Sequence, residues 1–332
     1  MPRNSVDILE NDFAPEVLEQ LLRDHTTKRN IFWATHDYEE RGEGYQYADE
    51  IKPELITGEN GKVIMPRVKK TKEQQTGRAK DMAEVFTPSW VCNVQNNLID
   101  EAWFGRKGVF NVEVPERHTW ETQTAPIEFP NDKTWRDYVR AVRVEIACGE
   151  APYLVSRYDT TTGEIIPIQY RIGLLDRKLR VVSENTEATK DWLEWAQIAF
   201  RSIYGYEWQG DNLLLAREAL LLTFIDYYKA KFGKRPVKKS IRYIAYVVSW
   251  NLWQMDGLRG VVPDSCQDGV IKKELSLFGE RDVLIRCPGC KQDDIHKHNG
   301  TYCIIRDWQK DNYQDRSEEN RTLIRFIDLI NT

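Results

Sequence analysis

The chain has 332 residues, 47 of them Lys or Arg against 52 Asp or Glu, for a formal net charge of −5. Hydrophobic residues make up 41%, and 11 Trp, 15 Tyr and 11 Phe supply much surface that must be buried, which excludes a disordered chain. No apolar run of about 18 residues offers a membrane span. The opening MPRNSVDILENDF lacks the basic and apolar parts of a secretion signal, so a cytoplasmic protein is expected.

In chain order, residues 1–80 read as short helical and irregular pieces. Val17, Leu18, Leu21 and Leu22 share one face of a helix over 14–23. A basic stretch follows, with Arg67, Lys69, Lys70, Lys72, Arg78 and Lys80. It reads as a solvated linker or as an arm that touches phosphates. Residues 89–104 form a helix for which Ser89 is a candidate N-cap. Residues 105–135 read as loop, and 135–143 as a short helix leading into a strand over 142–147. Helices are expected over 191–204 and 210–231, a strand over 201–207, and a segment 241–257 that starts as helix and ends as strand. Past Gly260 the chain turns loop-rich, and 316–331 reads as a closing helix. The alternation of helix and strand across 89–257 predicts an α/β unit with a parallel sheet. Three regions follow: 1–80, a core over 81–260, and 261–332.

Four segments in this order carry a ligand-binding pattern. In Ala83-Glu84-Val85-Phe86-Thr87-Pro88, a Thr-Pro at a helix entrance aims backbone N–H groups into a cleft, which suits a ligand carboxylate. In Glu145-Ile146-Ala147-Cys148-Gly149-Glu150-Ala151, a glycine turn after the first strand lets the backbone approach a ligand. Ile203-Tyr204-Gly205-Tyr206-Glu207 puts an acidic residue at the tip of the second strand, where it can accept ribose hydroxyls. Glu207 stands 58 positions after Gly149, so an insertion near 158–190 is expected. Last, Asp256-Gly257-Leu258 follows the third strand.

These segments resemble, in order, the (G/A)-E-(V/F)-(F/Y)-T-P, D-P-A-C-G-x-G, (V/I)-x-G-x-(D/E) and G-D-(A/S)-L segments of adenine-specific (N6) DNA methyltransferases of restriction–modification systems. The resemblance spans 83–258, and as a whole the chain looks like the proteins of the subunit M type. It implies a partial Rossmann-like fold that binds S-adenosylmethionine (SAM), with Glu84, Phe86, Thr87, Pro88, Glu145, Ala147, Cys148, Gly149, Glu207 and Asp256 as cofactor-binding residues. Asp256 would accept a hydrogen bond from the adenine amino group. Two departures stand out: Glu145-Ile146 replaces the leading Asp-Pro, and Ala151 replaces the second glycine. An alanine there is expected to fit only with a negative φ.

The catalytic N-P-P-(Y/F) of that family has no counterpart, since no Pro-Pro pair occurs anywhere. Cys303-Ile304-Ile305-Arg306-Asp307-Trp308 matches the C-x-(I/V)-x-D-W stretch that precedes it in relatives. The expectation is therefore the SAM-binding part of a methyltransferase that acts on double-stranded DNA. Its sheet would have three strands, with the third lacking a neighbour, and either a second polypeptide completes the catalytic half or the chain is a shortened remnant with its own repacking. A non-catalytic DNA- or protein-binding module of a defence system is one alternative. A small-molecule or RNA methyltransferase is another.

Finally, Cys287-Pro288-Gly289-Cys290 is a C-x2-C knuckle followed by His296, His298 and Cys303. Cys287, Cys290, one histidine and Cys303 form a ligand set suited to tetrahedral, structural Zn²⁺.

Overall fold

The structure is a computed structural model and describes residues 10, 13–70, 72, 87–276, 279–308 and 322–330, with the side chains of 274–276 and 279–281 left aside. It is a mixed α/β arrangement. Helix α1 spans Pro15–Leu22 and α2 spans Ser89–Phe104. A hairpin of β1 (Asn111–Val114) and β2 (Thr119–Thr122) follows, then α3 (Trp135–Arg140) and β3 (Arg143–Glu145). Next come α4 (Leu174–Asn185), α5 (Thr189–Arg201) and β4 (Ile203–Glu207). Helices α6 (Gly210–Phe232) and α7 (Lys238–Asn251) lead to β5 (Leu252–Gln254).

Strands β3, β4 and β5 form one parallel sheet in that order, with Glu145 opposite Gly205 and Glu207 opposite Gln254. Parallel neighbours need long crossovers, and each one here runs through two helices. The expected insertion is filled by α4 together with the loop before it. The β1–β2 hairpin lies where the sequence reads as loop.

Helix α6 is buried all round, from Leu213 to Tyr228, and touches both β4 and β5. Such a helix belongs in a core and not on a surface. Helix α7 packs on α6, α5 and α1, so the N-terminal helix is part of the main hydrophobic cluster.

Two expectations about the sheet are corrected. The flank of β5 is covered: Gln254 accepts from the Phe32 N–H at 3.0 Å and donates to the Phe32 and Trp208 carbonyls at 2.9 and 2.8 Å. The open edge is β3, where Val142, Val144 and Ile146 are exposed. Only β4 pairs with it among the described residues.

The C-terminal part is a β6–β7 hairpin (Ile271–Ser276, Gly279–Leu284), a short helix α8 (Pro288–Gln292), and a second hairpin of β8 (Ile304–Arg306) and β9 (Leu323–Arg325). The closing helix expected over 316–331 is instead β9 and a 3₁₀ turn, Phe326–Leu329, in its described portion. Residues 316–321 and 331 lie outside the described residues. Ile305, Phe326, Val262 and Cys303 pack with Tyr206, Trp253 and Met255 in a second small core. Among the described residues, no helix is long and apolar enough to cross a membrane.

His25 sits where α1 meets α7. Its ring stacks on Trp250 at 3.8 Å, and its Nε2 lies 2.9 Å from the Ser249 hydroxyl. That hydroxyl spends its proton on the Tyr246 carbonyl, so Nε2 is the donor of a neutral ring. Burial foremost, then the positive charges of Arg217, Lys28, Arg23 and Arg306, push the ring's pKa down to about 3. Below the ordinary value of 6.5 the unfolded chain takes up a proton that the folded one refuses. Stability is therefore expected to fall as pH drops from about 6.5 toward about 3. Urea midpoints across that range should fall less steeply in His25→Gln. Identical slopes in the two proteins would refute the assignment.

Candidate functional site

The carboxyl ends of the three parallel strands converge on one edge of the sheet. After β3 the chain makes a tight loop in which Ala147, Gly149 and Ala151 all have positive φ, at 48°, 52° and 61°. Ala151 thus takes the glycine-like backbone that its side chain disfavours, against the expectation of a negative φ. Each such alanine costs on the order of 1–2 kcal/mol. It persists because the surroundings determine it. Ala151 is fully buried, donates to the Cys148 carbonyl at 2.7 Å and accepts from Leu154 and Val155.

Two carboxylates tie this loop down. Glu145 is buried and accepts from the backbone N–H of Tyr153 at 3.3 Å and of Leu154 at 3.2 Å. Burial pushes its carboxyl well above the usual range, outweighing those two donors, and nearby Glu207 adds to the rise. Glu207 lies at the tip of β4. Its Oε2 accepts the Gly149 N–H at 2.8 Å and its Oε1 the Gln209 N–H at 3.2 Å. Cys148 is buried over the sheet, and its N–H donates to the Tyr206 carbonyl. Ala147 is exposed and Gly149 half-buried, so these two backbone positions face outward.

Asp256 follows β5. Its Oδ1 accepts from the N–H groups of Leu258 and Arg259, and its Oδ2 pairs with the Arg259 guanidinium at 2.9 Å. Asp256 is buried, and its carboxylate organises its own turn. Glu145, Cys148, Gly149, Glu207 and Asp256 therefore border a common edge, with Glu145 and Cys148 serving the loop from beneath.

The entrance of α2 differs from expectation. Pro88 is the N-cap residue, and no side chain caps from that position. The Ser89 N–H donates instead to Asp159, at 2.8 Å, from the far end of the loop. Burial opposes ionisation of Asp159, but bonds from the Thr161 hydroxyl and the Ser89 and Thr162 N–H groups hold its pKa down to about 2. A carboxylate of the chain itself thus occupies part of the place foreseen for a ligand carboxylate. The Thr87 carbonyl accepts from the Thr160 hydroxyl at 3.1 Å. Glu84 and Phe86 lie outside the described residues, as do Arg78 and Lys80 of the basic stretch. Lys70 is not a free phosphate contact: it is buried and pairs with Asp211 at 3.0 Å, beside the Tyr38 hydroxyl.

A second constellation lies in the C-terminal part. Cys266, Cys287, Cys290 and His298 bring three Sγ atoms and Nδ1 within 4.8 Å of one another. Cys266 Sγ is 3.4 Å from Cys287 Sγ and 3.6 Å from Cys290 Sγ. His298 Nδ1 is 3.5, 3.4 and 3.6 Å from Cys266, Cys287 and Cys290. Burial works against the Cys287 thiolate, but N–H donors from Cys290 and Asn299, with His298 and Cys266, outweigh it and bring the thiol down to about 6.

Three of the five expected ligands meet here, and two do not. His296 is exposed on the turn, its N–H bonded to Asp294. Cys303 is buried in the small core beneath β5, its Sγ 3.4 Å from the Gln254 carbonyl. Cys303 stands just before β8 and is buried against Tyr206, Trp253 and Met255, away from the knuckle. Cys266 takes its place. It stands 21 positions before Cys287, and the β6–β7 hairpin spans the gap and returns the chain to the knuckle. That separation is what hid it from a reading built on short ligand spacings.

Two glycines allow the approach. A Cβ on Gly289 would come within 2.7 Å of His298 Nδ1, and one on Gly300 within 2.8 Å of the Cys266 backbone N.

Comparison with protein-family models, with curated proteins and with solved structures returns no match for this chain. The two constellations therefore stand on their own chemistry.

Proposed function

We propose that the chain is the SAM-binding part of an adenine-N6 DNA methyltransferase of a restriction–modification system. The reading takes the carboxyl edge of the parallel sheet as the methyl-donor site of a partial Rossmann-like fold. The observation that carries it is the 2.8 Å bond between the Gly149 N–H and Glu207. It joins the glycine loop after the first strand to the acidic tip of the second, in the crevice where open α/β sheets take nucleoside ligands. The left-handed Ala151 supports it too, because the backbone keeps a glycine-type turn although the side chain has changed.

In this reading Glu207 accepts from the ribose hydroxyls and Asp256 faces the adenine. Ala147 and Gly149 offer backbone to the methionine part. Glu145 and Cys148 hold the loop and do not touch the ligand. Asp159 at the entrance of α2 leaves that helix less to give to the methionine carboxylate than the Thr87-Pro88 segment suggests.

SAM supplies the methyl group, and the chain's residues bind and orient it. Activation of the adenine amino group needs acceptors of the N-P-P-Y kind. This sequence has none, so a second polypeptide would bring them and the flipped base. The DNA assignment rests on the resemblance of the 83–88 segment. The ion pair of Lys70 with Asp211 weakens the alternative of a phosphate-gripping arm acting alone.

Titration calorimetry of the purified chain with SAM tests the reading. Binding is expected, with Glu207→Gln weakening it about 10- to 100-fold, the value of a charge-assisted hydrogen bond at roughly 1.5–3 kcal/mol. No transfer of labelled methyl to DNA is expected from the chain alone. Absence of any SAM binding by the native chain would overturn the proposal.

A further inference from the structure

The four donors of the C-terminal part meet the demands of one ion. Zinc–sulfur bonds of about 2.3 Å and zinc–nitrogen bonds of about 2.0–2.1 Å require tetrahedral edges of roughly 3.8 Å between sulfurs and roughly 3.6 Å from sulfur to nitrogen. The separations of Cys266 from the other three donors, and of His298 from Cys287 and Cys290, run from 3.4 to 3.6 Å. All four atoms lie within 4.8 Å of one another, which leaves room for a single ion and not for a cluster. Three thiols and an imidazole are soft or borderline donors, a set that disfavours Ca²⁺ and Mg²⁺.

We infer that Cys266, Cys287, Cys290 and His298 bind one Zn²⁺ in a closed tetrahedral site whose role is to staple the loop after β5 to the knuckle. The proposal does not depend on the methyl-donor reading.

Independent features of the backbone prepare the same centre. The Asn299 N–H points at Cys287 Sγ from 3.4 Å. The knuckle is held by Asp268, which accepts from the Cys287 N–H at 2.8 Å. Gln267 and Asn299 exchange two hydrogen bonds, at 2.9 and 2.7 Å, so the loop carrying Cys266 lies fixed against the turn carrying His298. Gly289 and Gly300 are positions at which a side chain would push those segments apart.

The four protein donors fill the coordination sphere and leave no position for water or substrate, which marks a structural site. The part of the chain that they join holds little apolar core. Residues 265–300 contribute a single buried hydrophobic residue, Cys287, among the described positions. Metal–ligand bonds supply what apolar burial does not. The stapled segment leads back to the sheet. Val261 bridges both Asp256 and Tyr302, and Val262 donates to the Thr301 carbonyl. Without the ion, the loop after β5 and the return into β8 would be held to each other by hydrogen bonds and by the small core that Val262 shares with Cys303 and Ile305.

The test uses the full chain, purified under reducing conditions without chelator. One zinc per chain is expected by elemental analysis. Exchange for Co²⁺ should give the intense visible absorption of a tetrahedral thiolate site. Cys266→Ser and Gly289→Ala should each lower metal retention at least tenfold, whereas His296→Ala should keep it. His298→Cys should retain the metal and shift the cobalt bands to lower energy, a readout that survives should Cys266→Ser fail to fold. Chelation should open residues 262–303 to hydrogen exchange while the parallel sheet stays protected. A native chain without metal and with the three thiols of Cys266, Cys287 and Cys290 freely reactive would overturn the assignment. So would a Cys266–Cys287 disulfide, or a cobalt spectrum unchanged by His298→Cys.

Discussion

Replacing Arg217 by methionine is expected to lower the unfolding free energy by about 3–5 kcal/mol, a large share of the roughly 5–15 kcal/mol that holds a domain. The guanidinium is completely buried in α6. It donates to four carbonyls on three elements: Leu21 and Arg23 at the end of α1, Ser249 in the last turn of α7, and Leu252 at the start of β5, which accepts twice. All five N–H donors are used. Helix ends present carbonyls with no partner inside the helix, and a cation there also meets the negative end of the helix dipole. Burial brings the pKa of the guanidinium down to about 10 against the opposing pull of the Asp24 carboxylate, so the group stays ionised at neutral pH.

Methionine fills much of the volume but leaves those carbonyls buried without their partner, at about 1–3 kcal/mol for each that finds no other. Lysine keeps the charge but offers three donors from a single point instead of a planar fork. Arg217→Lys should fall between the two. Urea denaturation with an unchanged m-value measures both. A loss below about 1 kcal/mol for Arg217→Met would show that water reaches the site and takes over the carbonyls.

Arg217 also marks the boundary of what the sequence discloses. The helix around it is plain from its apolar content, and the Ala216-Arg217 pair is visible as a string. Its task is not, because the carbonyls it braces lie up to 196 positions away in the chain. The three parallel strands were legible for a local reason. Each is a short β-branched or aromatic run that follows a helical period, and 142–147, 201–207 and the end of 241–257 overlap β3, β4 and β5. The β1–β2 hairpin was not, since Asn111–Val114 and Thr119–Thr122 are short and flanked by Pro and charged residues that read as loop.

The metal constellation divides the same way. Cys287 and Cys290 announce themselves by spacing, and His298 by proximity. The choice between Cys266 and Cys303 is a tertiary matter, decided by a hairpin that brings the knuckle back to the first and a small core that takes the second. At the sheet edge, Glu207 and Asp256 were identifiable as strand-end acids. That Glu145 faces beneath its own loop, and that Asp159 caps α2, depend on the path of the insertion.

Asp100→Ala is expected to cost about 3–5 kcal/mol, the usual penalty for removing one partner of a buried ion pair. Asp100 in α2 pairs with Arg177 in α4 at 2.5 Å, and both side chains are at most 3% exposed. Its other oxygen accepts from the Tyr138 hydroxyl of α3 at 2.9 Å. Arg177 in turn donates to the side-chain oxygens of Asn93 and Asn97 at 2.8 Å. Asn93 exchanges bonds with Asn111 of β1, and the guanidinium lies over the Phe110 ring at 5.3 Å. One network therefore locks α2, β1, α3 and α4. It anchors the inserted α4 to the helix that opens the core region.

Alanine at 100 leaves a buried cation whose remaining partners are neutral amides. The loss should be larger than that of Tyr138→Phe, which removes a single neutral donor and is worth about 1 kcal/mol. The pair itself contributes little net stability, because bringing both charges out of water offsets most of their attraction. Asp100→Leu combined with Arg177→Met should accordingly be less destabilising than Asp100→Ala alone, although the Asn93, Asn97 and Tyr138 polar groups keep it short of neutral. A double-mutant cycle read by urea midpoints gives the coupling, expected at about 2–3 kcal/mol for groups in one network. Additive single-site losses would mean that Asp100 and Arg177 are each satisfied independently, and that α4 is held to α2 by its apolar contacts alone.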